Sequence, residues 1–164
     1  MRPVIDNPRS GERIVISQSG TDTDGQLLAF DLFLQPGAHV PARHSHPRQE
    51  ERFTVLTGAV RFRVGTQTLL AHPGMTLTVP HGTTHWFGNG GSEVARMRVE
   101  VRPALRMQEL LEASVATTQR RWWSRLMALA LIPLDFQLEL GVPYVPSRLL
   151  KPLVWLRRRP LLGA

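Results

Sequence analysis

The chain has 164 residues and a mass of 18.5 kDa, enough to bury a core of its own, and with 42% apolar and 20% charged residues it does not have a disordered composition. It contains no cysteine, which excludes a disulfide framework, thiolate zinc sites, iron–sulfur clusters and cysteine nucleophiles, so any metal must be held by histidine and carboxylate. The net charge of +7 is unevenly spread: residues 1–103 carry 11 Arg against 9 acidic residues, a net of +2, and residues 104–164 carry 9 basic against 4 acidic residues, a net of +5. Nineteen of the 20 basic residues are Arg, a bias read as codon composition of the source genome, and the first 103 residues do not interleave them with stacking aromatics as a nucleic-acid surface would. No apolar run reaches the roughly 18 residues of a membrane span, and the opening Met1-Arg2-Pro3-Val4-Ile5 has no signal-like apolar core, so the expected compartment is the cytoplasm.

From residue 14 to 102 the chain is a succession of short alternating segments. Strands are predicted over Ile14–Ile16, Gln26–Leu34, Phe53–Leu56, Ala59–Val64, Thr66–Leu70, Met75–Val79, Thr84–Phe87 and Val94–Arg102. Between them stand turn formers: Pro36-Gly37, Pro41, Pro47, Thr57-Gly58, Gly65, Pro73-Gly74, Pro80-His81-Gly82 and Gly88-Asn89-Gly90-Gly91. Eight short strands with regular turns predict a mainly β sandwich or barrel. Two of them set their faces clearly. Val60, Phe62 and Val64 oppose Arg61 and Arg63, and Met97, Val99 and Val101 oppose Arg96, Arg98, Glu100 and Arg102.

After Pro103 the period changes. Met107, Leu110, Leu111, Ser114 and Val115 form a helical stripe, with Glu109 and Glu112 off it. An apolar stretch from Trp122 to Leu134, interrupted by Pro133, and a helix opening at Pro146 or Ser147 with Leu149, Leu150, Leu153 and Val154 on one face follow. The chain therefore divides into a β domain, 1–103, and a helical extension, 104–164. The extension is expected to cover the barrel or form a homodimer interface. Trp122, Trp123, Trp155 and their flanking arginines raise contact with a membrane surface through 120–159 as a second expectation.

Chemistry concentrates in two stretches. His44 and His46 are two apart, so an extended chain points both imidazoles to one side; Pro47 breaks that strand, and Glu51 follows as the next begins. His85 opens a strand just past the Pro80-x-Gly82 turn. If the segments are neighbours, three imidazoles and a carboxylate converge, a donor set for a borderline divalent ion such as Fe, Mn, Ni, Cu, Zn or Co, with two positions of a six-coordinate ion left open.

These stretches resemble the two motifs of the cupin superfamily. His44-x-His46, four residues, Glu51, six residues and Gly58 follow the first, with Gly37 one residue further from His44 than usual; Gly74, Pro80, Gly82, His85 and Asn89 follow every fixed position of the second. The resemblance covers roughly residues 26–102 and implies a double-sheet jelly-roll barrel of six to eight strands with His44, His46, Glu51 and His85 as metal ligands. Glu50 competes for the carboxylate place, and the spacing to Gly58 favours Glu51. Small bacterial single-domain cupins with a helical C-terminal extension are the looser likeness of the whole chain.

For the remaining histidines, His39, His72 and His81, surface or turn positions are expected, and Asn89 reads as a turn residue. Phe53, Val55, Leu77, Val79, Phe87, Met97 and Val99 are candidates to line the barrel. The arginines fall on opposite faces, so the pocket lacks a fixed cation and a small, neutral, aromatic-type substrate is expected. The resulting expectation is a metal-dependent, dioxygenase-like enzyme, with isomerase or lyase chemistry next and Glu51 doubling as proton acceptor; the alternative is a small-molecule-binding or sensing module without turnover. Nucleic acid is not an expected partner, since no helix-turn-helix pattern flanks the barrel.

Overall fold

The computed structural model describes residues 3–40, 42–118, 132 and 135–141. Among the described residues nine strands, with a 3-10 turn at Thr21–Thr23, precede one α-helix: β1 Val4–Asn7, β2 Glu12–Gln18, β3 Leu28–Leu34, β4 Glu50–Thr57, β5 Val60–Val64, β6 Gln67–Ala71, β7 Thr76–Val79, β8 His85–Asn89, β9 Ala95–Arg102 and α1 Met107–Thr118. They form a six-stranded sheet in the order β1-β2-β3-β9-β4-β7 and a three-stranded sheet in the order β6-β5-β8, with every pairing antiparallel. Two facing sheets with long crossovers are the jelly-roll arrangement the turn spacing implies.

The core lies between the sheets because period-2 alternation sends one set of side chains inward from each strand. Phe53 of β4 pairs with Val99 of β9 and Leu77 of β7, while Phe62 of β5 faces Phe87 of β8. The three phenylalanine rings meet across the gap at centroid distances of 5.3, 5.3 and 5.9 Å, within the range in which tilted aromatic pairs add to plain area burial. On the outer face of β9, Arg96 and Arg98 both reach Asp31 of β3, at 2.5 and 3.1 Å. Arg61 and Arg63 are exposed on β5.

The sequence reading misses β1. Only Ile5 and Asn7 of that strand are buried, and Asp6-Asn7-Pro8 carries turn chemistry, so no period-2 apolar signal is present. The helical stripe after Pro103 forms α1, with Met107 and Leu110 buried in the main core and Leu111 and Val115 partly so. Phe136 joins the same core, and Ser45 pairs with Gly141 in an isolated β-bridge, so the described part of the extension packs on the barrel. The Trp122–Leu134 stretch (apart from Ile132), the helix expected after Pro146 and most of the segment considered for membrane contact lie outside the described residues. Among the described residues no helix is long and apolar enough to cross a membrane.

Gly58 turns β4 into β5 with a φ of +72°, and a Cβ there would stand 2.8 Å from Ala95 Cα and 2.9 Å from the Val94 carbonyl oxygen. Gly65, with φ +56°, has nothing within 4 Å of such a Cβ. Gly65→Ala should therefore lose only the left-handed backbone cost, about 1 kcal/mol, whereas Gly58→Ala must also displace β9 and should lose at least about 3 kcal/mol. Urea unfolding of the two variants beside the native chain checks the difference; equal losses would mean that β9 yields freely at Val94–Ala95.

Candidate metal centre

Each sheet delivers one acid–base group to the same end of the barrel. Glu51 sits in β4 between Val79 of β7 and Val101 of β9, two residues before Phe53 and on the same inward face. His85 opens β8 opposite Val64 of β5, two residues before the inward Phe87. The connection from β3 to β4 carries the other two imidazoles. It is laced to the start of β8 by two backbone hydrogen bonds, His44 N–H to the His85 carbonyl at 3.0 Å and His85 N–H to the His44 carbonyl at 2.7 Å, and by the Gly82 N–H to the His46 carbonyl at 2.8 Å. Buried Gln49 fastens the far end of this connection, donating to the carbonyls of Pro103 and Ala104, both at 3.0 Å. The Pro-x-Gly turn thus has a mechanical role: it brings His85 level with His44.

The ligand atoms of His44, His46, Glu51 and His85 all lie within 4.8 Å of one another. His46, Glu51 and His85 are buried and His44 is half-buried, so the cluster faces outward past His44. Each ring is oriented by a backbone carbonyl on its Nδ1: Ala42 for His44 at 3.1 Å, Thr83 for His85 at 3.2 Å, and Glu139 for His46. A carbonyl accepts only, so Nδ1 carries the proton and donates in all three rings. The three Nε2 atoms are left to aim at the centre. Glu51 Oε2 lies 3.2 Å from His46 Nε2 and 2.9 Å from His85 Nε2, yet none of these three buried atoms has a partner in hydrogen-bond geometry. Buried lone pairs of nitrogen and oxygen crowded this way are what a divalent cation satisfies, and the carbonyl-held rings are the usual second layer around metal-bound histidine. The residues therefore fit a metal.

The electrostatics agree. Burial, then the neighbouring His85 and His46 rings, push His44 down to about 4, so it stays neutral and able to ligate. Burial alone would raise the Glu51 carboxyl, but His46 and His85 outweigh it and hold it well below the usual carboxylate range. For His46 burial opposes charging, and the Glu51 carboxylate together with the Glu139 carbonyl outweighs it, so the net shift is upward. A cation and a proton would compete for the same Nε2 atoms, so metal binding at this cluster is linked to pH.

Glu50, the competing carboxylate, is exposed and pairs with Arg102 in register, pointing away from the cluster. His39, His72 and His81 are exposed; His39 lies against Trp86 with centroids 5.7 Å apart and bridges to Gly88. Asn89 is a turn clamp: its side chain donates to the Leu34 and Glu93 carbonyls at 2.9 and 2.8 Å and accepts from the Gly91 N–H at 2.8 Å. Phe53, Val55, Met97 and Val99 are each at most 1% exposed, Phe87 is buried, and Leu77 is half-buried. The Phe53 ring lies 6.1 Å from that of His85. Sequence reasoning missed Glu139, whose carbonyl meets a ring 93 residues earlier; a backbone acceptor leaves no residue-type signal.

Residues 30–101 match the family model described as a cupin domain. Among solved structures the fold is similar to KdgF from Halomonas sp., at 20% identity over 62% of this chain and 86% of that one, with a TM-score of 0.53. It is similar to a sugar phosphate isomerase from a cupin superfamily of Silicibacter pomeroyi, at 24% identity over 62% and 69% of the two chains and a TM-score of 0.52. A recombinant oxalate oxidase in complex with glycolate matches at 19% identity over 62% of this chain and 56% of its own, with a TM-score of 0.52. At these identities the likeness speaks for the fold. No curated protein matches this chain in sequence.

Replacing one ligand should weaken binding of Co(II) or Zn(II) far more than removing an exposed ring. His85→Ala and Glu51→Gln are each expected to lower affinity at least about 100-fold, the upper range for loss of a mere supporting partner, and His81→Ala to leave it unchanged. Chelator competition on protein purified without a His-tag measures this; unchanged affinity in the two ligand variants would place the metal elsewhere.

Proposed function

We propose that this chain, whose residues 30–101 match the cupin-domain family, is a cupin and a metal-dependent enzyme of dioxygenase-like chemistry that acts on a small, neutral organic molecule beside His44, His46, Glu51 and His85. One observation carries the reading: three imidazoles, two buried and His44 half-buried, each with Nδ1 held by a backbone carbonyl, turn Nε2 toward one carboxylate. A divalent metal in that cluster supplies Lewis-acid polarisation, a template for the substrate and, for Fe or Mn, electron transfer. His44, at the open side, borders the approach of the substrate. Half-buried Leu77 and buried Phe87 border the apolar side of that approach, while Phe53, Val55, Met97 and Val99, each at most 1% exposed, form the packed core behind it.

The neutrality of the substrate is supported by where the cations are. Arg96 and Arg98 are engaged by Asp31 on the outer face, and Arg52, Arg61 and Arg63 are exposed on strands whose alternate residues point inward. A phosphate or sugar acid bound at the cluster would meet none of these five guanidinium groups. Glu51, held anionic by His46 and His85, serves this reading first as a ligand. A base works best with a pKa near the working pH, so its role as proton acceptor requires that it first leave those two rings.

The fold by itself does not choose between turnover and binding. Protein reconstituted separately with Fe(II), Mn(II), Ni(II), Cu(II), Zn(II) and Co(II) should be screened for oxygen uptake and product with a panel of small neutral aromatic compounds. Uptake is expected with at least one metal, and His85→Ala should reduce it at least about 100-fold. Tight binding of a compound with no uptake and no product over long incubation would overturn the enzymatic reading in favour of a sensing module.

A further inference from the structure

His44 and His85 each use the carbonyl two residues upstream, in Ala42 and Thr83, to hold Nδ1. His46 does not. The carbonyl two residues before it belongs to His44, and that oxygen already accepts the His85 N–H at 2.7 Å. His46 instead donates to the carbonyl of Glu139, in a segment 93 residues away that lies outside the matched cupin region, 30–101.

That segment, 135–141, is fastened at both ends. At one end Gly141 and Ser45 exchange two backbone hydrogen bonds, Ser45 N–H to the Gly141 carbonyl at 2.9 Å and Gly141 N–H to the Ser45 carbonyl at 2.7 Å. At the other, buried Phe136 lies under the Arg106 guanidinium, 4.7 Å from ring to cation, within cation–π range. Between them the Glu139 side chain, itself buried, accepts the backbone N–H of Arg106 at 3.2 Å, next to the first residue of α1. A carboxylate at that place also satisfies one of the free N–H groups of a helix start.

We propose that residues 135–141 are a positioning strap of the metal centre, and that the Glu139 carbonyl is the positioning group that fixes the His46 ring with Nε2 toward Glu51. The proposal rests on the metal-centre reading above and adds to it a part of the chain that supplies no ligand. The strap ties the start of α1 to the connection bearing His44 and His46. Displacing it frees the His46 ring to rotate and so weakens metal binding without removing any ligand.

Gly141 offers a way to move the strap alone. Its φ is not in the left-handed region, and an added Cβ would meet Ser45 Oγ at 2.6 Å, with its next contacts at an ordinary 3.5 Å. Gly141→Ala lifts the strap where Ser45 does not turn its hydroxyl aside, Ser45→Gly in the same chain removes the clashing oxygen and should let it return, and Phe136→Ala decides where the hydroxyl simply rotates. Two readouts on the full-length protein separate the strap from the metal reading. In metal-free protein, nitrogen-15 NMR of the imidazoles should give a downfield, slowly exchanging His46 Nδ1–H in the native chain, lost in Gly141→Ala and restored in the double variant. Co(II) affinity should fall 10- to 100-fold in Gly141→Ala and recover in the double variant. Phe136→Ala, which releases the other end, should move both readouts in the same direction and decides the matter if Gly141→Ala does not fold. An intact Nδ1–H signal with affinity within about twofold of native in the strap variants would overturn the proposal, as would a loss that Ser45→Gly fails to restore. If the native chain binds no metal at all, the metal reading fails while the NMR comparison still decides the strap.

Discussion

Everything at this site follows from three hydrogen bonds that point away from it. A buried imidazole can rotate, and it can hold its proton on either nitrogen. Ala42, Thr83 and Glu139 each remove both freedoms by placing a carbonyl on Nδ1. The Nε2 lone pairs are then committed to the centre, where they meet an anionic oxygen. Without a positive charge among them this is an unfavourable arrangement, since each buried polar atom left without a partner costs on the order of 1–3 kcal/mol. Among the described residues five buried side-chain polar atoms lack a hydrogen-bond partner, and three of them, on His46, Glu51 and His85, meet here. The cost is thus concentrated at the cluster, which is how a functional site commonly differs from its surroundings.

The barrel makes that geometry rigid by drawing on both sheets. Glu51 is hydrogen-bonded into a strand flanked on both sides, and His85 begins a strand whose next inward residue is Phe87. Phe53, Phe62 and Phe87 interlock directly beneath. Moving either ligand by an ångström would mean sliding one sheet on the other across three packed rings, against the density of a protein interior. His44 and His46, by contrast, lie on a connection and depend on lacing: to β8 through His44 and Gly82, to the end of β9 through Gln49, and to residues 135–141 through Ser45. Two ligands are held by the fold and two by its fastenings.

How much of this was legible in the sequence depends on how local the signal was. Alternation in Val60–Val64 and Met97–Arg102 marked the inward faces because each residue reports its own side of a strand. The cluster was legible because four chemically distinctive side chains recur at spacings that match strand parity and a Pro-x-Gly turn, and the choice of Glu51 over Glu50 followed from the spacing to Gly58, with the parity of β4 agreeing. What alternation could not give was depth. Phe53, Val55, Met97 and Val99 were placed on the inner face, but whether an inward residue borders a cavity or is packed solid depends on the opposite sheet, and in the structure all four are almost wholly buried. β1 was illegible because its buried positions are an isoleucine and an asparagine among turn formers. The acceptor for His46 was illegible in principle, since every residue offers the same carbonyl and only the tertiary fold says which one arrives.

That last point bears on how such a barrel acquires its own chemistry. The matched region ends at residue 101, and the structural neighbours overlap about three-fifths of the chain. Within that region the chain has all four donors, but His46 is oriented from outside it. A metal's affinity and reactivity respond to the groups that hold its ligands almost as strongly as to the ligands. An appended segment that touches one ring can therefore tune the centre while leaving both motifs intact, and different appendages on the same barrel can yield different centres. For this chain the search for what sets its chemistry apart begins at the contact between Glu139 and His46, where the C-terminal extension meets the site.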